Sequence, residues 1–69
     1  MDSKKLGKRI RLARVAADLT QTELANRIRA KQKSISRYET GTATPTLDTL
    51  VKISGALKKS PGYFLEELG

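Results

Sequence analysis

Four side chains near the middle of the chain could form hydrogen bonds with the edges of DNA bases: Gln32, Lys33, Ser36 and Arg37. Lysine and arginine only donate hydrogen bonds, which suits the acceptor atoms of guanine, whereas a glutamine amide both donates and accepts, which suits adenine. Lys33 and Arg37 are one helical turn apart on the side of Gln32, and no acidic residue lies among them. The opposite side is apolar, at Ile35 and Tyr38. This pattern predicts a helix whose polar face fits the major groove of DNA.

The stretch from Thr20 to Glu39 must position these side chains, and it has the pattern of two short helices joined by a tight turn. Thr20 is a good N-cap, and Glu23 follows it three residues later, so the pair predicts a capping box. A second helix of the chain is predicted over about 21–28, because its apolar residues recur at helical spacing. A third helix is predicted over about 32–39, where that spacing resumes.

A first helix is predicted before this stretch, from Ser3 as its N-cap to about Ala17, where Asp18 ends it. Its inner face is expected to carry Leu6, Ile10, Ala13, Arg14 and Ala17. Two further apolar residues, Leu12 and Val15, lie off that face and are expected to be exposed to solvent. Leu19 is expected to turn back into the core.

Two more helices are predicted after the stretch from Thr20 to Glu39. Gly41 suits the left-handed position that closes the third helix, and Thr46 caps a fourth helix over about 47–57. The apolar stripe of that helix consists of Leu47, Leu50, Val51, Ile53 and Leu57. Ser60-Pro61 predicts the start of a short fifth helix, from which Phe64 and Leu65 are expected to enter the core. The predicted fold is therefore all-α, a compact five-helix bundle in which residues 1–69 form a single domain.

Composition excludes several classes of function. The 69 residues include 14 Lys and Arg but only 7 Asp and Glu, which gives a net charge of +7 and a pI near 10.2. Such a balance is typical of proteins that bind nucleic acid. There is no His or Cys, and the acids are spread out, so we expect no catalytic residues, no metal site and no cofactor.

Location follows from similar reasoning. No apolar run approaches the roughly 20 residues that a membrane span needs. The N-terminus carries charge without the apolar segment of a signal peptide. We therefore expect a cytoplasmic protein that does not bind a membrane. We also expect no small-molecule ligand, because the sequence leaves no room for a sensor domain.

The motif TQxELAxxI, a three-residue turn, QxxIS and then RYExG resembles the helix-turn-helix of the phage repressor and Cro family. The residues that carry the resemblance are Thr20, Gln21, Glu23, Leu24, Ala25, Ile28, Gln32, Ser34, Ile35, Ser36, Arg37, Tyr38, Glu39 and Gly41. With the flanking helices, it covers roughly Leu6 to Leu65. The chain departs from the family at Arg29, where glycine is usual in the turn, and at Lys31, a poor cap for the third helix. The resemblance implies a lambda-repressor-like fold from a bacterium or a phage.

The resemblance also implies roles for particular residues. Gln21 would brace Gln32 while Gln32 reads a base, and Arg14 and Glu39 would form a structural ion pair between the first and third helices. Contacts to DNA phosphates are expected from Thr20, Gln21, Lys31, Thr40, Thr42 and Thr44, since small hydroxyl residues and a helix N-terminus suit phosphate. Each role has a plainer alternative. Gln21 could be a solvated surface amide, Lys33 and Arg37 could form a solvated basic face, and the loop that holds Thr40, Thr42 and Thr44 could be a simple connector. Arg14 and Glu39 could be solvated separately.

These observations predict a sequence-specific regulator of transcription that binds double-stranded operator DNA. A homodimer on an inverted repeat is expected, weakly paired off DNA, through a small two-fold contact between exposed parts of the fifth helix, Leu57 and the loop around Pro45. Two alternatives stay open: an antitoxin-type or adaptor module whose main task is to bind another protein, and a nucleic-acid binder without sequence preference. An enzyme is not expected.

Overall fold

The computed structural model describes residues 2–65, which contain five α-helices and no strand. The helices are α1 (Ser3–Ala16), α2 (Gln21–Arg27), α3 (Gln32–Thr40), α4 (Leu47–Ala56) and α5 (Pro61–Leu65). The predicted all-α, five-helix architecture is confirmed. The first four helices lie within one residue of their predicted bounds, and α5 begins at Pro61 as predicted.

Side chains at the helix N-termini explain where the helices begin. The hydroxyl of Thr20 accepts a hydrogen bond from the Glu23 N–H at 3.0 Å, and the Glu23 carboxylate accepts one from the Thr20 N–H at 2.9 Å. The predicted capping box is therefore present. The Thr20 N–H bond is the largest cause of the lowered pKa of Glu23. Thr46 caps α4 as predicted, because its hydroxyl accepts from the Thr49 N–H at 3.2 Å.

The predicted cap of α1 is wrong by one residue. Asp2 caps the helix, since its carboxylate accepts hydrogen bonds from the N–H groups of Lys4 and Lys5 at 2.9 and 3.2 Å. The Lys5 bond is the largest cause of the lowered pKa of Asp2. The hydroxyl of Ser3 instead forms a hydrogen bond with the hydroxyl of Thr44, which joins the start of α1 to the loop before α4.

The core is one apolar cluster to which all five helices contribute: Leu6, Ile10, Ala13, Leu19, Leu24, Ala25, Ile28, Ile35, Leu50, Ile53, Leu57 and Phe64. α1 packs against α3 and α5, α2 packs against α3 and α4, and α4 packs against α5. The closest crossing is that of α1 on α3, where Gly7 lies against the backbone of Tyr38 and Glu39. α3 is thus held on a platform of α1 and α2.

Several side chains predicted to be inside are exposed. Leu47 and Val51 of α4 are 64% and 47% exposed. Among the described helices, the main packing partners of α4 are α2 and α5, and the buried apolar residues of this segment are Leu50, Ile53 and Leu57. Leu65 is 39% exposed, since it ends a five-residue helix that turns only Phe64 inward. Ala17 is exposed as well, because it lies beyond the end of α1. Leu12 and Val15 are exposed as predicted.

The predicted two-fold contact needs correction. Leu57 is 5% exposed within the core, so its side chain is not available to a second copy. In the loop around Pro45, the proline is buried, whereas Thr44 and Thr46 beside it are exposed, so the part of the prediction that concerns this loop remains a prediction. The exposed part of α5 was also assigned to this contact, and its predicted member Leu68 lies outside the described residues.

Left-handed residues follow the helices. Gly41 has a φ of 79° after α3, as predicted. Asp18, Arg29 and Lys58 have φ values of 58°, 57° and 57° after α1, α2 and α4, a conformation that favours glycine. Arg29 therefore takes the backbone shape that the resemblance assigns to glycine, at some conformational cost.

Candidate nucleic-acid interface

The outer face of α3 carries the four side chains predicted to contact bases. Gln32, Lys33 and Arg37 are exposed and Ser36 is half-buried, whereas Ile35 on the opposite face is fully buried. This division into two faces follows from the helical period. Ser36 and Arg37 are three and four residues after Lys33, a spacing that places all three on the same side of a helix, and Gln32 directly precedes them. The exposed face of α3 is therefore polar and cationic and carries no acidic residue.

The start of α2 is joined to the start of α3 by a hydrogen bond between two glutamines. The amide nitrogen of Gln32 donates to the amide oxygen of Gln21 at 2.6 Å. The amide nitrogen of Gln21 in turn donates to the carboxylate of Glu39 at 3.1 Å. Glu39, Gln21 and Gln32 therefore form a continuous chain of side-chain hydrogen bonds that ends at the exposed face of α3.

This chain has a fixed polarity because a carboxylate only accepts hydrogen bonds. Glu39 therefore holds the NH₂ group of Gln21, which leaves the Gln21 oxygen directed at Gln32. Gln32 must then use one N–H for this bond and retains its oxygen and its second N–H. One acceptor and one donor side by side are the set that pairs with the N6 and N7 atoms of adenine.

An ion pair anchors this chain in the protein. The Arg14 Nε donates to one oxygen of Glu39 at 2.6 Å and the Arg14 Nη2 to the other at 3.0 Å, so the pair is bidentate. The exposed fractions of the two side chains are 12% and 3%. The hydrogen bond to Glu39 is also the largest cause of the raised pKa of Arg14. A third bond, from Arg14 Nη1 to the Leu19 carbonyl at 2.7 Å, ties α1 to the segment before α2.

The residues predicted to contact phosphates fall into two groups. Thr20, Gln21 and Lys31 lie where α2 and α3 begin, and Thr40 and Thr42 lie where α3 ends, with their hydroxyls 2.9 Å apart. Eight residues of helix separate Gln32 from Thr40, which is about 12 Å, and the major groove is also about 12 Å wide. The length of α3 between the two groups is therefore similar to the width of the major groove.

Thr44 and Lys31 differ from the other predicted phosphate contacts. Thr44 is exposed, but its hydroxyl is bonded to Ser3 at the far side of the loop, so it does not join Thr40 and Thr42. Lys31 is the N-cap of α3 and makes no side-chain cap bond, as its residue type predicts. The first N–H groups of α3 thus lack a side-chain partner, next to the positive charge of Lys31.

Two side-chain contacts in the structure could not be predicted from the sequence. The bond from Gln21 to Glu39 depends on how α2 crosses the end of α3, which residue spacing does not reveal. Arg9 donates to the Tyr63 carbonyl at 2.6 Å and lies 5.5 Å from the centre of the Tyr63 ring, which secures α5 to α1. The sequence shows a basic residue on α1 and an aromatic one on α5, but not that they are close to each other.

Residues 2–65 contain no group of acidic, His or Cys side chains that could hold a metal ion. None of the helices described is long and apolar enough to cross a bilayer.

Comparison with known proteins gives consistent matches. The chain is 38% identical over 60 residues to the HTH-type transcriptional regulator ImmR of Bacillus subtilis, covering 87% of this chain and 47% of ImmR. It is 38% identical over 56 residues to the cryptic phage CTXphi transcriptional repressor RstR of Vibrio cholerae, covering 81% and 50%. The chain thus spans about half the length of each of these relatives.

Among solved structures, the P22 c2 repressor in complex with a synthetic operator superposes with a TM-score of 0.83 at 31% identity, covering 88% of this chain and 92% of that one. The helix-turn-helix family HTH_3 matches residues 10–64, which include α2, α3 and the whole of the glutamine pair. The chain therefore belongs to the HTH_3 helix-turn-helix family.

Proposed function

We propose that this chain is a sequence-specific DNA-binding regulator of transcription that places α3 in the major groove. The observation that carries the proposal is the acid-free face of α3, on which Gln32 is held by Gln21 with one donor and one acceptor left to solvent. Gln32 would read an adenine, and Lys33 and Arg37 would donate to guanine or to phosphate, with Ser36 close by. Two named relatives are transcriptional regulators, and a third was solved on an operator, which supports this assignment.

The flanking residues suit a role in fixing the register on DNA. Thr20, Gln21 and Lys31 would contact one phosphate strand and Thr40 and Thr42 the other, with Thr44 at the edge. Arg14 and Glu39 would not touch DNA. Their role would be to hold α3 and Gln21 at the angle from which Gln32 can reach a base. A location in the cytoplasm of a bacterial host, where operator DNA is found, is part of this proposal.

The first test separates base readout from phosphate binding. A binding site is first selected from random duplex DNA, and affinities are then measured for that site and for a scrambled duplex at two salt concentrations. Gln32→Ala is expected to cost about 1–3 kcal/mol on the selected site with little change on the scrambled duplex. The reason is that alanine removes the donor and acceptor that discriminate one base pair.

Lys31→Ala is the matched control. A phosphate contact is independent of sequence, so its loss should weaken both duplexes alike and reduce the salt slope by about one. Arg37→Ala should fall between the two, because Arg37 lies a turn further along α3. Equal losses on both duplexes for Gln32→Ala would mean that Gln32 does not read a base, and the proposed placement of α3 would then be wrong.

The second test concerns stoichiometry. We propose that two copies bind an inverted repeat, with half-sites about one DNA turn or ~34 Å apart. The chain measures 31 × 23 × 21 Å, so two copies side by side can present α3 at comparable spacing. Sedimentation is expected to show monomers at low concentration and two copies on a full operator. One copy on a full operator at saturation would refute the dimer.

A further inference from the structure

A cleft between the end of α2 and the outer side of α4 carries a cluster of positive charge. It is lined by Arg27, Ile28, Arg29, Lys52, Gly55 and Ala56. Three of the six residues are cations and none is an acid, while Gly55, Ala56 and the small exposed part of the core residue Ile28 add an apolar surface. The cleft is therefore suited to an anionic group that carries an apolar part.

The cations of this cleft have little competition from the protein itself. Across residues 2–65, neither Arg27 nor Arg29 has an ion pair or a side-chain hydrogen bond. Glu23, one turn before Arg27 on α2, accepts a hydrogen bond from the N–H of Thr20 and attracts Arg27 only through space, as the last of the causes that lower the pKa of Glu23. Lys52 pairs with Asp48 at 3.6 Å, but both side chains are largely exposed, so the pair is weak and Lys52 can exchange Asp48 for another carboxylate.

The position of the cleft separates it from the DNA-binding face proposed above. α4 packs against α2 and α5, and α3 contributes no residue to the lining. Within α2, Arg27 is six residues beyond Gln21, which puts it on a different side of that helix at roughly 120°. None of the six lining residues is among those assigned above to base or phosphate contacts, so the cleft can be tested as a separate site.

We propose that this cleft binds an acidic segment of a partner protein, with carboxylates at the cationic rim and an apolar side chain against Ile28 and Ala56. Charge complementarity carries the proposal, since the rim is uniformly cationic and a peptide can offer carboxylates and an apolar group together. Such binding would be a second activity of this chain, separate from DNA binding.

The probe is a capped synthetic peptide, Asp-Asp-Leu-Glu-Glu, titrated into the ¹⁵N-labelled chain. Amide shifts are expected around residues 27–29 and 52–56 and not along α3. The variant Arg27→Gln/Arg29→Gly removes two cations and should weaken binding by about fivefold, which corresponds to about 0.5 kcal/mol for each of two exposed charge pairs. Glycine also suits the positive φ of Arg29, so the fold should be retained, as a melting curve would check.

The control variant Lys8→Gln/Lys58→Gly removes the same charge and introduces glycine at an equivalent positive φ, but neither residue lines the cleft. It should weaken peptide binding less than about twofold, as expected for charges outside the site. A random-sequence duplex should bind together with the peptide. Equal losses in the two variants would reduce the effect to general charge attraction and overturn the proposal. Displacement of the peptide by the duplex would mean that the cleft is part of the DNA-binding surface. Amide shifts confined to α3 would mean that the peptide binds the DNA-binding surface instead of the cleft. Either result would overturn the proposal.

Discussion

Glu39→Gln is expected to lower the free energy of unfolding by about 3–5 kcal/mol, which approaches the whole stability of a domain this small. Three donors converge on the Glu39 carboxylate: Arg14 Nε, Arg14 Nη2 and the Gln21 amide. A glutamine of the same shape offers them one oxygen instead of two and directs its own N–H groups at a donor. It also leaves the guanidinium of Arg14, only 12% exposed, without its counter-charge.

Thermal and urea unfolding of this variant measure the effect, and a fall in melting temperature of more than about 12 °C is expected for 3 kcal/mol. Lys52→Gln is the control, because it removes one member of an exposed pair and should change stability by less than about 0.5 kcal/mol. A melting temperature of Glu39→Gln close to that of the parent would mean that the pair is not structural.

Gly7→Ala should destabilise the fold by about 2–3 kcal/mol or more, although alanine is normally the better helix former. An added Cβ at Gly7 would lie 2.2 Å from the Tyr38 carbonyl oxygen and 2.7 Å from that of Glu39. Both atoms belong to the backbone of α3, so no side chain can rotate away and the two helices must separate. Because Glu39 is on the same stretch of α3, separation would also strain its pairing with Arg14.

Gly55→Ala provides the matched control for this substitution. Gly55 is also a helical glycine, but a Cβ there would meet no atom within 4 Å. Alanine should therefore stabilise α4 by up to about 1 kcal/mol, through helix propensity alone. Urea denaturation of both variants gives the comparison. If Gly7→Ala were as stable as Gly55→Ala, the close crossing of α1 and α3 would not be a constraint on the fold.

These two results bear on function through the position of α3. The helix has only nine residues and is held by its crossing on α1, by the ion pair at its end and by the glutamine bond at its start. Helices of this length are marginal alone, so packing must supply their stability. A weakened platform should therefore reduce specific binding more than non-specific binding, because only the former requires one orientation of Gln32.

The sequence by itself determined the elements of this protein. Caps and helical periodicity are local signals, so the capping box of Thr20 and Glu23, the turn at Gly41 and the bounds of α2 and α3 followed from residue types a few positions apart. The polar face of α3 followed in the same way, because Gln32, Lys33 and Arg37 are grouped by the period of a single helix.

Only the tertiary structure decided what happens between elements. The helical period permits Leu47 and Val51 to be buried, yet both are exposed, because no helix within residues 2–65 covers that side of α4. Asp2 and Ser3 are both acceptable caps, and the choice of Asp2 goes together with the contact of Ser3 with Thr44, more than 40 residues away. The bond from Gln21 to Glu39 likewise depends on the angle at which two helices cross, and such an angle is set by the packing of the whole core rather than by any local pattern.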